Sequence, residues 1–97
     1  MKILIVGAGR IGISVAESLV SEANDITIVD RNPEHIAYLQ SRFDLRGIVG
    51  EASSPQVLRD AGADDMDMLI AVTSNDETNL VVSLLAARLF NIPTRIA

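Results

Sequence analysis

Apolar positions along this chain follow two alternating patterns. Short, β-branched runs at residues 2–6, 25–29, 45–49, 68–72 and 94–97 read as strands. Most lack the polar alternation of a half-exposed strand, so they predict a sheet covered on both faces. Between them the apolar residues move to helical spacing. Ile11, Val15, Ala16, Leu19 and Val20 define a first helix; Ile36, Leu39 and Phe43 a second; Val57, Leu58 and Ala61 a short third.

Local stop and start signals agree with this division. Asn32 before Pro33 and Ser54 before Pro55 are helix caps followed by prolines suited to the first helical position, and Gly62 ends the third helix. Ser74 and Glu77 fit an S-x-x-E capping box opening a fourth helix over about 78–90, which Asn91-Ile92-Pro93 ends. Strand and helix alternate throughout, with no internal repeat, linker or low-complexity segment. With right-handed crossovers this predicts an α/β fold, a Rossmann-like doubly wound parallel sheet of order 3-2-1-4-5, cut within its fifth strand. The expectation is a single domain over residues 1–97 that belongs to a longer protein.

The first strand leads into candidate chemistry. Gly7, Gly9 and Gly12 form G-x-G-x-x-G at the strand-to-helix turn, where a dinucleotide fold needs a tight bend, backbone approach to a pyrophosphate and close helix–sheet packing. The helix they open can direct its amino terminus at an anion. Asp30 ends the second strand 18 positions past Gly12, close to the separation of about 20 for a carboxylate that accepts from an adenosine ribose. Asp30 also disfavours a ribose 2′-phosphate by charge repulsion. The glycines alone are a short, common pattern; strand, glycines, helix, strand and acid in order carry much more.

Composition narrows the partners. Thirteen acidic against eight basic side chains give a net charge of −5, with no basic cluster and only one Tyr, two Phe and no Trp. That composition argues against nucleic acid and anionic membrane surfaces. No cysteine is present, which removes disulfides, thiolate metal sites and cysteine nucleophiles. No apolar stretch reaches membrane-spanning length and the amino terminus carries no signal-peptide pattern, so a cytoplasmic protein is the default expectation.

Other polar groups read as follows. Asp64, Asp65 and Asp67 form an acidic stretch before the fourth strand, at the amino end of the sheet and opposite a ligand crevice; solvated loop acids explain them better than a metal site. His35 and Tyr38 fall on other faces of the second helix than its apolar stripe, and His35 reads as a surface residue without a catalytic constellation. Thr73, Ser74, Asn75 and Glu77 follow the fourth strand and face the same crevice as the glycines, so Ser74 and Glu77 serve as cap, as ligand contact, or as both. Leu80, Val81, Val82, Leu84, Leu85, Leu89 and Phe90 cover most of the last helix, which predicts self-association through it.

The stretches MKILIVGAGRIG, DITIVDRNPE, GEASSPQVLRDAG and DMLIAVTSNDETNL together resemble the TrkA-N type of nucleotide-binding domain, in the KTN or RCK group carried by potassium-uptake systems. The resemblance covers essentially the whole chain, and the last two stretches are its more specific part. It implies a regulatory sensor of NAD(H) without enzymatic activity. The sensor would be cytoplasmic, peripheral to the inner face of the membrane through a potassium transporter, and at least a dimer. It further implies that the loop Gly7, Ala8, Gly9, Arg10, Ile11 and Gly12 holds the pyrophosphate and Asp30 the ribose. Arg31 would flank the adenine, Glu51 and Ala52 would line its pocket, and Thr73, Ser74, Asn75 and Glu77 would meet the nicotinamide half or a terminal phosphate. ATP or ADP shares the adenosine end and stays open as the ligand; the cofactor half of a dehydrogenase is the alternative from another functional class.

Overall fold

The computed structural model describes residues 1–97. The chain alternates β1 (Lys2–Val6), α1 (Arg10–Val20), β2 (Asp25–Asp30), α2 (Pro33–Arg42), β3 (Arg46–Val49), α3 (Pro55–Asp60), a 3₁₀ turn (Ala63–Asp65), β4 (Met68–Ala71), α4 (Asp76–Arg88) and β5 (Thr94–Ile96). All strand pairs are parallel and the sheet order is β3-β2-β1-β4-β5. The order inferred from the sequence is therefore the observed one.

Strand alternation sorts side chains into two cores. Ile3 and Ile5 of β1 point with Ile26, Ile28 and Ile70 toward α1 and α2, where Ala16, Ile36 and Leu39 meet them. Leu4 and Val6 point the other way with Val29, Leu69 and Ala71, against Leu58 of α3 and Val82, Ala86 and Phe90 around α4. Because β1 is flanked by β2 and β4 and covered on both faces, Leu4 and Ile5 are completely buried. Each such side chain contributes about 1.5–3 kcal/mol of burial.

Three local readings need correction. Ile11 does not join the apolar face of α1 but is exposed; Gly12 and Ala16 take the buried positions, with Ile13, Val15, Leu19 and Val20 packed beside them. The fourth helix opens at Asp76, not at a Ser74–Glu77 box: Asn75 is the cap, its Oδ1 accepting from Thr78 N at 2.9 Å. Asn75 wins because the Thr73 hydroxyl accepts from Asn75 N at 3.2 Å, holding the chain extended for one residue longer. The helix also ends at Arg88, before Phe90; Asn91 takes a left-handed conformation with φ 54°, and Ile92 N donates to Ala86 O at 2.9 Å.

The acidic stretch has a structural use at the amino end of the sheet. Asp67 accepts from Lys2 N at 2.8 Å through its carboxylate while its own N–H donates to Lys2 O at 2.8 Å, tying β4 to β1. The last helix carries apolar side chains on two sides. Val82 and Ala86 are buried, whereas Leu80, Val81 and Leu84 are exposed on the opposite stripe. No helix is long and apolar enough to cross a membrane.

Candidate functional site

A crevice of about 320 Å³ opens at the carboxyl end of the sheet, where the connections from β1 and β4 depart to opposite faces. Gly7 and Gly9 line its floor, Asp30, Arg31, Asn32 and His35 one side, Gly50, Glu51 and Ala52 the rim beyond β3, and Thr73, Ser74, Asn75 and Thr78 the other side.

The glycine turn is built by steric demands. Gly7 has φ +112°, and a Cβ there would come within 2.9 Å of the Val72 carbonyl and Thr73 N. A Cβ on Gly12 would collide with the carbonyl of Gly7, so α1 starts directly against the turn. Gly9 meets no protein atom within 4 Å of a built Cβ and lines the crevice; a side chain there would fill ligand space. Gly9 is also the N-cap of α1 and supplies no side-chain hydrogen bond, and the first turn of α1 carries no acid. By contrast α2, α3 and α4 are each capped by a side chain, from Asn32, Ser54 and Asn75. The α1 terminus is thus left without a side-chain cap or an acid to meet its donors and positive end.

Asp30 is held in place by the backbone on both sides of it. Its Oδ1 accepts from Ala8 N at 2.9 Å and its Oδ2 from Asn32 N at 2.9 Å, which fastens the carboxylate between the glycine turn and the start of α2. A carboxylate has about four acceptor positions, so Asp30, which lines the crevice, keeps acceptor capacity beyond these two bonds. His35 Nδ1 lies 3.5 Å from Oδ2. His35 is exposed, as expected of a surface residue, and the first turn of α2 also brings its imidazole near the acid that ends β2.

Across the rim, Arg31 Nη1 is 3.9 Å from Glu51 Oε2, with the arginine side chain 82% exposed. Such a pair contributes little to stability and leaves both groups free to reorient. On the opposite side Thr73 is clamped by Asn79, whose Oδ1 accepts from Thr73 N at 3.0 Å and from its hydroxyl at 2.6 Å, and whose Nδ2 donates to Thr73 O at 3.1 Å.

Of the residues singled out from sequence, Gly7, Gly9, Asp30, Arg31, Glu51, Ala52, Thr73, Ser74 and Asn75 come together around the crevice. Ala8, Arg10, Ile11, Gly12 and Glu77 lie outside its lining: Ala8 and Gly12 are buried behind the turn, Arg10 and Ile11 are exposed at the start of α1, and Glu77 is exposed in the first turn of α4. Asn32, His35, Gly50 and Thr78 line it without having been singled out as site residues, and Asn79 shapes it from behind. The helical repeat places His35 three positions after the Asn32 cap and Thr78 three after Asn75, a spacing that could have found both.

Fold and site define a Rossmann-like domain with a ligand crevice at the switch point of its sheet. The chain belongs to the TrkA-N domain family, which matches residues 3–97. It is 55% identical over 97 residues to the Trk system potassium uptake protein TrkA of Vibrio alginolyticus, a match covering 100% of this chain and 21% of that protein. The chain thus spans about a fifth of the length of that relative. Among solved structures it is similar to the GsuK RCK domain, with 29% identity and a TM-score of 0.78 over 96% of this chain and 20% of that one. The Kef CTD of Shewanella denitrificans in its AMP-bound form shares the fold, with 23% identity and a TM-score of 0.80 over 99% of this chain and 57% of that one.

Proposed function

We propose that this chain is the nucleotide-binding regulatory module of a longer subunit that controls a potassium-uptake transporter, and that its ligand is NAD(H). The observation that carries the ligand reading is the Asp30 carboxylate, fixed by Ala8 N and Asn32 N next to a helix terminus that has no side-chain cap. A ribose diol donating to the carboxylate and a phosphate accepting from the α1 terminus would satisfy both at once. In this reading Gly7, Gly9 and the first N–H groups of α1, through Arg10 and Ile11, receive the pyrophosphate, and Gly12 lets α1 approach. Arg31, Glu51 and Ala52 border the adenine; Thr73, Ser74 and Asn75 meet the second half of the ligand.

The relatives named as potassium uptake proteins support the regulatory role over an enzymatic one. So does the position of the imidazole: His35 sits on the β2 side with Asp30, and the β4 side offers hydroxyls and amides, without an acid or base for hydride chemistry. A regulatory ligand can shift a gate only by its differential affinity for two states, so NAD and NADH should bind unequally or stabilise different assemblies. The module would sit at the cytoplasmic face of the membrane through its transporter, and as at least a dimer through the exposed stripe of α4.

Titration calorimetry of the purified chain against NADH, NAD, NADPH, ATP and ADP tests the ligand. The reading expects NADH or NAD to bind more tightly than NADPH. Preference for ATP or ADP would replace redox sensing by sensing of energy charge, and absence of binding by all five would overturn the nucleotide reading.

A further inference from the structure

Thr27 is the one buried residue with a polar side chain, 5% exposed in the middle of β2. Leu4 and Arg46 are its partners in the flanking strands, and in a parallel register the three share one face of the sheet. The Thr27 hydroxyl makes no hydrogen bond within the chain, yet it is not sealed from solvent. Thr27 lines a second cavity, of about 170 Å³, at the amino end of the sheet and away from the glycine crevice. A hydroxyl buried without a protein partner costs stability that valine, of the same shape, does not. The strand therefore carries a polar group that the fold itself does not use.

The rest of the lining is charged and balanced. Lys2 and Asp25 open β1 and β2 as register partners, Arg46 opens β3 beside Thr27, and Asp65 comes from the turn before β4. Lys2 N donates to the Asp67 carboxylate at 2.8 Å, which fixes the strand end and leaves the ammonium free. Arg46 is held over the end of α3 by Nη2, which donates to Asp60 O at 3.0 Å. Its Nη1 and the Met66 methyl lie 3.9 and 3.8 Å from the point where a Gly62 Cβ would stand, so both border the left-handed Gly62 turn. None of these four charged side chains belongs to an ion pair; the pairs in the structure join Arg31 to Glu51 and Asp30 to His35.

We infer that this cavity is a binding site for a small zwitterion bearing a carboxylate and an ammonium group, of the α-amino acid kind. Lys2 and Arg46 attract a lone anion but Asp25 and Asp65 repel it, and a lone cation meets the reverse. A molecule with both charges satisfies both sets. Its carboxylate accepts from the free Arg46 donors and the Thr27 hydroxyl, its ammonium donates to the acids, and Met66 offers a small apolar contact. The volume corresponds to roughly five or six water molecules at about 30 Å³ each, which suits glycine or alanine and excludes the large amino acids. The inference does not depend on the nucleotide reading, because the two cavities share no lining residue.

The test is an amide-resolved nuclear magnetic resonance titration of the chain with glycine, L-alanine, acetate and methylammonium at millimolar concentration and equal ionic strength. The last two are the separate charged halves of the proposed ligand. Glycine and L-alanine should give saturable shifts at the amides of Thr27, Arg46 and Gly62 while Gly7 and Gly9 stay fixed, and each half alone should bind at least about tenfold more weakly, as expected when one charge-assisted set of bonds is lost. Thr27→Val, which keeps the shape of the core, should weaken L-alanine about three- to tenfold, the scale of one hydrogen bond. Arg46→Gln, at an exposed position outside the core, should weaken it about tenfold or more and carries the test should valine disturb the strand. Absence of saturable shifts with both amino acids, acetate or methylammonium binding as tightly as L-alanine, or unchanged affinity in both variants would overturn the inference.

Discussion

Asp30 holds two backbone donors and, in the proposed reading, a ribose, and its substitutions should separate the two. The carboxylate accepts from Ala8 N and Asn32 N, so Asp30→Ala removes acceptors from two backbone donors as well as the proposed ribose contact. Loss of charged hydrogen bonds of this kind costs about 1.5–3 kcal/mol, read as a lower denaturation midpoint in urea. Asp30→Asn keeps one oxygen and should lose less stability, while still weakening NADH at least tenfold by calorimetry. Equal NADH affinity in Asp30→Asn and wild type would show that the ribose assignment is wrong. A second residue is strained without a functional claim on it. Ala23 has φ 60° in the turn between α1 and β2, a conformation that costs a side-chain-bearing residue roughly 1 kcal/mol. Ala23→Gly should therefore raise the unfolding free energy by about 0.5–1 kcal/mol, and an unchanged or lower midpoint would contradict it.

Elements were legible where one signal acted alone and misread where two competed. The strands and the first three helices follow from apolar spacing and from caps whose side chains act as expected: Asn32 accepts from Glu34 N and Ser54 from Val57 N. The start of α4 was ambiguous because 73–79 is polar throughout, and several residues could cap. Tertiary bonding chose among them: Asn79 fixes Thr73 and Thr73 fixes Asn75, a chain invisible to spacing rules for short motifs. Asn79→Ala should leave Thr73 N without its partner and cost about 1–3 kcal/mol. Hydrogen exchange would then show the amides of the β4–α4 connection losing protection before those of β1. His35 is exposed as its spacing implies, but its neighbour is not readable from spacing. Its place off the apolar stripe of α2 says that it leaves the core; only the three-dimensional path of β2 into α2 says what it meets. The exposed stripe of α4 was foreseen from composition, and Leu84→Glu should abolish self-association in analytical ultracentrifugation at unchanged thermal midpoint. A wild-type chain that sediments as a monomer at high concentration would contradict association through this face.

At the scale of the whole molecule, the sheet order decides where ligand chemistry can lie. Placing β1 between β2 and β4 brings the glycine turn, Asp30 and the Thr73 loop to one end, and leaves Asp64, Asp65 and Asp67 at the other. That division is readable from alternation and handedness alone, which is why Gly7, Asp30 and Thr73 are expected at one end of the sheet, whereas individual contacts are not readable that way. A ligand bound to the folded state at 100 times its dissociation constant stabilises by about 2.7 kcal/mol. For a domain of this size that is a rise of roughly 10–20 °C in thermal midpoint. Asp30→Asn should show a much smaller rise at the same NADH concentration.

Amide-resolved nuclear magnetic resonance during an NADH titration tests the central claim most directly, because it reads the backbone donors themselves. The account predicts that the amides of Ala8, Gly9, Arg10, Ile11 and Asn32 shift together and saturate at one dissociation constant, while those of the buried β5-side residues Ala86 and Ile92 stay fixed. Saturable shifts confined to α4, or no shift at the glycine turn and Asn32, would contradict it.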